Sequence, residues 1–238
     1  MSSSNFGLLK KLSVMAVACI PFLMNAAEDK AASGDLFYLD FTKNSARATL
    51  AAGSPECKAG NAVFIKDGDK FCLNAGDKGF EKLKYSTDGN INLQEGTLQI
   101  KYKPSFSKDS PGKLNIYRIF LLAEKTDSDH FSIGLNSAKD GKHYLWVFLK
   151  NEQTEGKHHG VFKNVNMEKD VWYDIAVTWD KDSLKLYLDK KLLGAVPMKG
   201  KLPDASSFYV GGSFYPNNAE GLIEYLKISP KSIPLSDK

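Results

Sequence analysis

The segment from Val171 to Gly194 constrains the fold of this chain more than any other part of its 238 residues. Trp172 to Trp179 is rich in β-branched and aromatic residues, and Leu184 to Leu188 alternates with the period of two of a half-buried strand. Between them, Asp180 to Ser183 contains the side-chain types that close tight turns. Short strands joined in this way cannot bury their own apolar faces, so the segment predicts a second sheet to pack against.

Other parts of the chain show the same strand patterns. Leu36 to Phe41 is typical of a first strand, and Asp67-Gly68 is a hairpin turn signal between two apolar runs. No pattern with the period of a helix extends over a useful length. We therefore predict an all-β protein.

Several short motifs recur in an order that resembles laminin-G-like domains of the concanavalin A-like superfamily. They are Glu95–Leu98, Trp172, Ile175–Asp180, Leu184–Asp189, Phe208–Gly212 and Gly221–Ile228. The resemblance covers most of residues 36–235 and implies an antiparallel jelly-roll β-sandwich. The superfamily includes lectins, glycoside hydrolases, polysaccharide lyases and modules without a known ligand, so the resemblance predicts the fold more than the function.

Residues 1–27 have the three parts of an export signal. Lys10-Lys11 is the charged part, Leu12 to Met24 the apolar part, and Asn25 to Ala27 the small-residue end. The apolar run is shorter than the roughly 20 residues that span a bilayer, so no transmembrane segment is expected. We predict a secreted or periplasmic protein with a signal peptide at 1–27, a short leader at 28–35 and one laminin-G-like domain at 36–238.

The three cysteines bear on the same prediction. A lipoprotein anchored through Cys19 is the alternative interpretation of the signal. Cys57 and Cys72 would remain in an exported chain, where a disulfide between them is expected to stabilise the fold by roughly 3 kcal/mol. The alternative is a pair of buried thiols in a reducing compartment.

The alternating pattern of Tyr144 to Leu149 predicts a strand with two different faces. One face is aliphatic and belongs in the core. The other carries Tyr144, Trp146 and Phe148. Sugar rings present flat C–H faces that stack on aromatic side chains, so this second face is a candidate carbohydrate site. The alternative is that these aromatic side chains pack beneath a covering loop.

Polar side chains are needed beside such a platform to bind sugar hydroxyls. Gln99 and Arg118 can supply them if their strands neighbour the platform in the same sheet. Alternation within Asn115 to Leu122 places Arg118 on the face of Phe120 and Leu122, opposite Tyr117, Ile119 and Leu121. Tyr215, in a polar connection after Gly212, is a further candidate contact.

Two tryptophans lie seven positions apart, at Trp172 and Trp179, and an odd spacing directs them to opposite faces of a regular strand. The resemblance places Trp172 among the positions that define the fold. We therefore expect Trp179 to be the more exposed of the two.

The resemblance also implies a structural calcium ion between the first and last strands. Asp40 and Glu224 are the positions at which its carboxylate ligands would stand. The alternative is two unrelated surface carboxylates. The four histidines show no His-x-x-x-His spacing, so a zinc site is not expected.

Composition and motifs narrow the function. Lysine and arginine number 32 against 28 acidic residues, and this near-neutral charge gives no support to nucleic-acid binding. The Glu-x-Asp-x-x-Glu strand of laminarinase-like glycosidases is absent. Gln99 to Lys101 and Phe208 to Tyr215 faintly resemble two alginate-lyase motifs, although Lys101 stands where that family has histidine.

The sequence thus predicts an exported, non-catalytic module that binds a carbohydrate or a glycosylated surface. One alternative is a protein-interaction or structural module of the cell envelope. The other is an enzyme on the same fold, resembling a polysaccharide lyase or a glycoside hydrolase.

Overall fold

The computed structural model describes residues 34–58, 60, 62–76, 83–106, 115–125, 128–137, 142–212 and 218–235. The predicted signal peptide and most of the predicted leader lie outside them. The strands within this part of the chain are β1 (Phe37–Leu39), β2 (Leu50–Ala51), β3 (Val63–Asp67), β4 (Lys70–Asn74), β5 (Leu83–Ser86), β6 (Gly96–Pro104), β7 (Asn115–Ala123), β8 (His130–Ser137), β9 (His143–Lys150), β10 (His159–Val165), β11 (Tyr173–Trp179), β12 (Ser183–Leu188), β13 (Lys191–Pro197), β14 (Ser207–Val210) and β15 (Gly221–Ser229). A single 3-10 turn, Glu152–Thr154, follows β9.

The strands form two antiparallel sheets that pack face to face. One has the order β13-β12-β11-β6-β15-β1-β2, with the β3–β4 hairpin attached to β15. The other has six strands in the order β10-β9-β8-β7-β14-β5. The predicted all-β antiparallel sandwich is therefore confirmed. In the part of the chain described, no helix is long and apolar enough to cross a membrane.

The segment that dominated the sequence pattern forms the meander β11-β12-β13. In its first turn, the Asp180 carboxylate accepts hydrogen bonds from the backbone N–H groups of Asp182 and Ser183, at 2.9 and 2.8 Å. In its second turn, Asp189 and Lys190 have positive φ angles of 48° and 67°, as a two-residue hairpin turn requires. These local interactions explain why this part of the fold was predictable from sequence.

The inner faces of the two sheets form one core. On β6, Leu98, Ile100 and Tyr102 are at most 1% exposed. On β9, the aliphatic residues Leu145, Val147 and Leu149 are completely buried, as the alternation predicted. The aliphatic residues at alternate positions of β9 therefore fill the core, and the aromatic residues between them lie on the outer face of the six-stranded sheet.

Strand β7 departs from the predicted alternation. Its register with β8 pairs Arg118 with Gly134 and then Phe120 with Ile133, so Ile119 is an additional residue in a β-bulge. As a result Ile119 and Phe120 both belong to the main core, and Leu121 faces the other way. The expectation that Arg118 faces away from Tyr117 and Ile119 is confirmed, but its sharing of a face with Phe120 and Leu122 is wrong, because the bulge turns those two residues into the core.

The two tryptophans also reverse the expectation from sequence. Trp179 is 1% exposed, and its indole N–H donates to the Asn92 carbonyl at 3.0 Å. Its ring occupies the space beside its strand partner Gly96, where an added Cβ would lie 2.3 Å from the indole. Trp172 precedes β11, is only half-buried, and donates to the Asp67 carboxylate at 3.0 Å.

The predicted disulfide is not formed. Both Cys57 and Cys72 are thiols. Cys72 lies in β4, and burial raises the pKa of its thiol to about 11, so it stays protonated and unreactive at neutral pH. Cys57 is instead close to Tyr85, which belongs to β5 of the other sheet.

We expect Trp179→Ala to lower the free energy of unfolding by about 3–5 kcal/mol, because it empties a large buried site. Trp172→Ala removes one hydrogen bond from a half-buried ring and should cost about 1 kcal/mol. Urea denaturation of both variants measures the difference. Equal losses would contradict the assignment of Trp179 to the core.

Candidate functional site

The aromatic alternates of β9 lie on the outer face of the six-stranded sheet together with a ring from β10. We call Tyr144, Trp146, Phe148, His158 and Phe162 the aromatic face. Phe162 stands directly opposite Trp146 in the strand register and is 45% exposed. Tyr144 and Phe148 are half-buried. The three predicted aromatic side chains therefore share the outer face of this sheet, and the sequence had not indicated Phe162 beside them.

The rings of the aromatic face are nearly parallel. Ring centroids of Tyr144 and Phe162 are 4.6 Å apart with planes at 15°, and those of Phe148 and Phe162 are 6.2 Å apart at 8°. Phe148 also stacks on Trp146, at 4.9 Å and 17°, and on His158, at 5.3 Å and 10°. Separations near 5 Å indicate offset stacking of ring on ring. The interior rings thus use their faces on one another and offer their edges to a ligand.

Trp146 forms the floor of the aromatic face. It is 2% exposed, and its indole N–H donates to the side-chain oxygen of Asn136 at 2.8 Å. Its ring lies against Gly134 on β8, where an added Cβ would be 2.5 Å from the indole. Trp146 therefore supports the other rings and holds Asn136 in place, whereas Phe162 and Tyr144 are the rings that a ligand reaches.

Polar side chains flank the exposed end of the stack. Asn136 and Asn164 stand on either side of Tyr144 in the strand register. Since Asn136 accepts from Trp146 through its oxygen, its NH₂ group remains to donate to a ligand. Arg118 lies in the same cross-strand row as Gly134 and Trp146. An aromatic ring with two amides beside it can both stack on a sugar and bind its hydroxyls.

Gln99, a further predicted polar contact, does not join this face. Gln99 lies on β6 of the nine-stranded sheet, paired with Ala176 and Lys227, so it cannot neighbour the aromatic face across the core. Tyr215 lies outside the described residues. The condition set for Gln99, a strand in the same sheet, is therefore not met, whereas Arg118 meets it.

Two histidines continue the aromatic face at its other end. The ring centroids of His130 and His158 are 5.1 Å apart with planes at 67°. Burial lowers the pKa of both imidazoles, and the charges of Lys150 and Arg118 lower it further. Neither histidine was a candidate from sequence, because only the register of β8, β9 and the start of β10 brings them together.

A cavity of about 370 Å³ lies on the opposite side of the molecule, between β1, β15 and the β3–β4 hairpin. Both predicted calcium positions, Asp40 and Glu224, line it. The Glu224 carboxylate forms an ion pair with Lys70, and Asp40 accepts hydrogen bonds from the Thr42 and Thr49 hydroxyls at 3.0 and 2.6 Å. No group of three or more His, Cys, Asp or Glu residues suited to a metal occurs in the described residues. The calcium site stays a prediction.

The two segments that resemble lyase motifs do not converge. Gln99 and Lys101 belong to β6, in the nine-stranded sheet, whereas Tyr209 belongs to β14, in the six-stranded sheet. Tyr209 is completely buried and packs with Leu121 and Ala123 outside the main core. The described residues of these two segments therefore do not form a shared active site.

Fold and outer face together define a lectin-like β-sandwich. The sequence profile of the family Laminin_G_3, described as the concanavalin A-like lectin/glucanases superfamily, matches residues 79–236. This chain belongs to that family. A search of curated protein sequences found no match.

Solved structures share the same fold at low sequence identity. Domain 4 of AbnA, a GH43 extracellular arabinanase from Geobacillus stearothermophilus in complex with arabinotriose, aligns over 84% of this chain and 94% of that domain, with 14% identity and a TM-score of 0.58. The receptor-binding domain of botulinum neurotoxin mosaic serotype C/D aligns over 85% of this chain and 48% of its own, with 16% identity and a TM-score of 0.62. The binding domain of botulinum neurotoxin DC in complex with SialylT aligns over 85% and 49%, with 14% identity and a TM-score of 0.60. The chain thus spans about half the length of the toxin domains, and at these identities the likeness establishes the fold alone.

We expect the folded state to lose stability as the pH falls below about 6.5. Burial lowers the pKa of His130, His143 and His158, so the unfolded chain binds more protons than the folded chain in this window. Urea denaturation at pH 7.5, 6.5 and 5.5 measures the loss. His143→Gln should make the loss smaller, and a stability that does not change between pH 7.5 and 5.5 would contradict these pKa directions.

Proposed function

We propose that this protein is an exported, non-catalytic carbohydrate-binding module whose ligand contacts the aromatic face. The observation that carries the proposal is the exposure of Phe162, at 45%, within a stack of parallel rings that the core does not require. A folded domain gains nothing from holding such a ring in water, whereas a sugar that covers it gains apolar contact. The Asn136 and Asn164 amides supply the hydrogen bonds that orient the sugar.

Known structures of this fold support the proposal. The arabinanase domain is described in complex with arabinotriose, and this chain covers 94% of it. The toxin binding domain described in complex with SialylT shares the sandwich as well. Export rests on residues 1–27 of the sequence, whose charged, apolar and small-residue parts match a signal peptide.

A second candidate function is protein interaction at the cell envelope. Strand β3 pairs with β4 alone among the described strands, and it exposes Val63 and Ile65 by 41% and 36%. An apolar edge strand of this kind can pair with a partner chain. The enzyme alternatives have no comparable support, since the lyase-like segments lie apart and the glycosidase motif is absent.

A glycan-array screen of the mature chain, residues 28–238, tests the proposal. Contact through a few rings should give dissociation constants of about 10⁻³ to 10⁻⁶ M. We expect Phe162→Ala and Tyr144→Ala to weaken binding at least about tenfold, because each removes a ring that the ligand reaches. Leu192→Ala is the matched control, since Leu192 is a 50% exposed apolar residue on the other sheet.

Stability measurements separate binding from folding. Phe162→Ala should lower the free energy of unfolding by only about 1 kcal/mol, because the half-exposed ring loses its stacking on Tyr144 and Phe148 but leaves no buried cavity. Trp146→Ala should lower it by about 3 kcal/mol, because Trp146 is a buried floor residue. Running the array with calcium and with a chelator tests the Asp40 and Glu224 site separately. A folded wild-type chain that binds no glycan would contradict the proposal and favour the protein-interaction module.

A further inference from the structure

Basic side chains gather at the end of the aromatic face that is remote from Tyr144. His158 stacks on Phe148, and His130 contacts His158 edge to face at 5.1 Å. The charges of Arg118 on β7 and Lys150 on β9 act on both imidazoles. We call His130, His158, Arg118 and Lys150 the histidine cluster.

The strand register explains why these groups meet. Lys150 is the direct partner of His130, and it lies two residues beyond Phe148 on β9, so both share the outer face with the rings. Arg118 reaches the same face because its direct partner, Gly134, is in turn the partner of Trp146. Three neighbouring strands and the residue before β10 therefore supply cationic or protonatable groups to one place.

Among the described residues, the carboxylates of Glu124, Asp129 and Glu155 lie near the cluster along the chain. Glu124, which follows β7, accepts a hydrogen bond from the Ser206 backbone at 2.7 Å. Glu155 lies 4.0 Å from Lys157, and Asp129 is exposed at the start of β8. Among the described residues, no carboxylate contributes to the pKa of either imidazole. The cluster thus collects like charges at the side of a ring stack.

A buried hydroxyl lies in the same area. Ser132 is 1% exposed, and its Oγ has no hydrogen-bond partner in the described part of the chain. It is the β8 partner of Phe148 and lies two residues after His130, so it belongs to the same face. The Nδ1 of His130 lies 3.0 Å from the Ser128 carbonyl and donates to it, so Nε2 is the ring nitrogen that remains for a ligand. A buried polar group without a partner is costly, and an acceptor atom of a ligand would satisfy it.

We propose that the sugar bound on the aromatic face is anionic and that the histidine cluster holds its carboxylate or sulfate ester. This inference rests on the proposed function and names its ligand class. The ring stack contacts the apolar edge of the sugar, and the cluster supplies charge-assisted hydrogen bonds to the anion. Ser132 donates a further hydrogen bond after a rotation of its side chain.

Binding of an anion is coupled to proton uptake. Without a ligand, the imidazoles of His130 and His158 have lowered pKa values, so both are largely neutral at pH 7.5. A bound carboxylate or sulfate favours their charged form and raises both pKa values. Affinity for an anionic sugar therefore increases as the pH falls from 7.5 to 5.5. Affinity for a neutral sugar does not increase over this range.

Isothermal titration calorimetry of the mature chain tests the inference. The probes are hexasaccharides of homogalacturonan, alginate and hyaluronan, each with its carboxyl-reduced counterpart and a sulfated form of that counterpart. At pH 5.5 we expect at least one anionic form to bind about tenfold or more tightly than its neutral counterpart, with a smaller ratio at pH 7.5. The uronate and sulfated arms distinguish the two sources of negative charge.

Variants assign the preference to residues. The double change His130→Gln and His158→Gln should lower the ratio of anionic to neutral affinity to about one and remove the pH dependence of that ratio. Phe162→Ala should weaken both forms. His159→Gln is the control, because His159 is adjacent to His158 but its Nε2 donates to the Pro197 carbonyl at 2.7 Å. Thermal melting checks that each variant is folded.

Three results would overturn the inference and leave the proposed function standing. The first is equal affinity for the anionic and neutral forms, and the second is an anionic preference that survives the double histidine change. The third is binding of neutral array glycans without any binding of the anionic probes. A folded wild-type chain that binds neither the probes nor any array glycan overturns both proposals.

Discussion

The alternation of side chains along each strand is the constraint on which the rest of the structure depends. The strands of the two sheets direct alternate side chains into the core between the sheets. The core accepts only side chains that fill it without voids. On β9 this requirement is met by Leu145, Val147 and Leu149. Of the aromatic residues at the remaining positions, Trp146 is buried and stabilises the fold, whereas Tyr144 and Phe148 are only half-buried. The rings of the aromatic face all stack in one direction, with planes within 17° of each neighbour, and they do so on the outer side of the sheet.

Features set by local pattern were predictable from the sequence. The meander β11-β12-β13 and the two faces of β9 follow from alternation and from turn side chains such as Asp180. Features set by pairing were not predictable. The bulge at Ile119 exists only in the register of β7 with β8, and the burial of Trp179 depends on its partner being Gly96.

The candidate site shows the same division. Tyr144, Trp146 and Phe148 could be chosen from one strand, but Phe162 and His130 join them only through neighbouring strands. Whether Gln99 lies beside these rings could not be predicted, because a sequence does not reveal which strands share a sheet. The disulfide prediction was wrong for a related reason. Cys72 lies in the β3–β4 hairpin, whereas Cys57 lies near Tyr85 of the other sheet.

Ion pairing on the nine-stranded sheet bears on the calcium prediction. Lys70 lies against Glu224, so a tethered ammonium group already neutralises a carboxylate that a metal would need. Entry of calcium there would require this side chain to leave. On the aromatic face, by contrast, the Asn136 oxygen accepts from Trp146 and the NH₂ group of Asn136 remains to donate.

Strands β8, β9 and β10 follow one another in the chain and lie side by side at one edge of their sheet. Apart from Arg118, the aromatic face and the histidine cluster are therefore encoded in one uninterrupted stretch, from His130 to Val165. Substitutions at the exposed positions of that stretch change the surface, while the buried positions between them continue to fill the core. Ligand preference and foldability can thus be inherited separately, and one sandwich can serve lineages that meet different sugars.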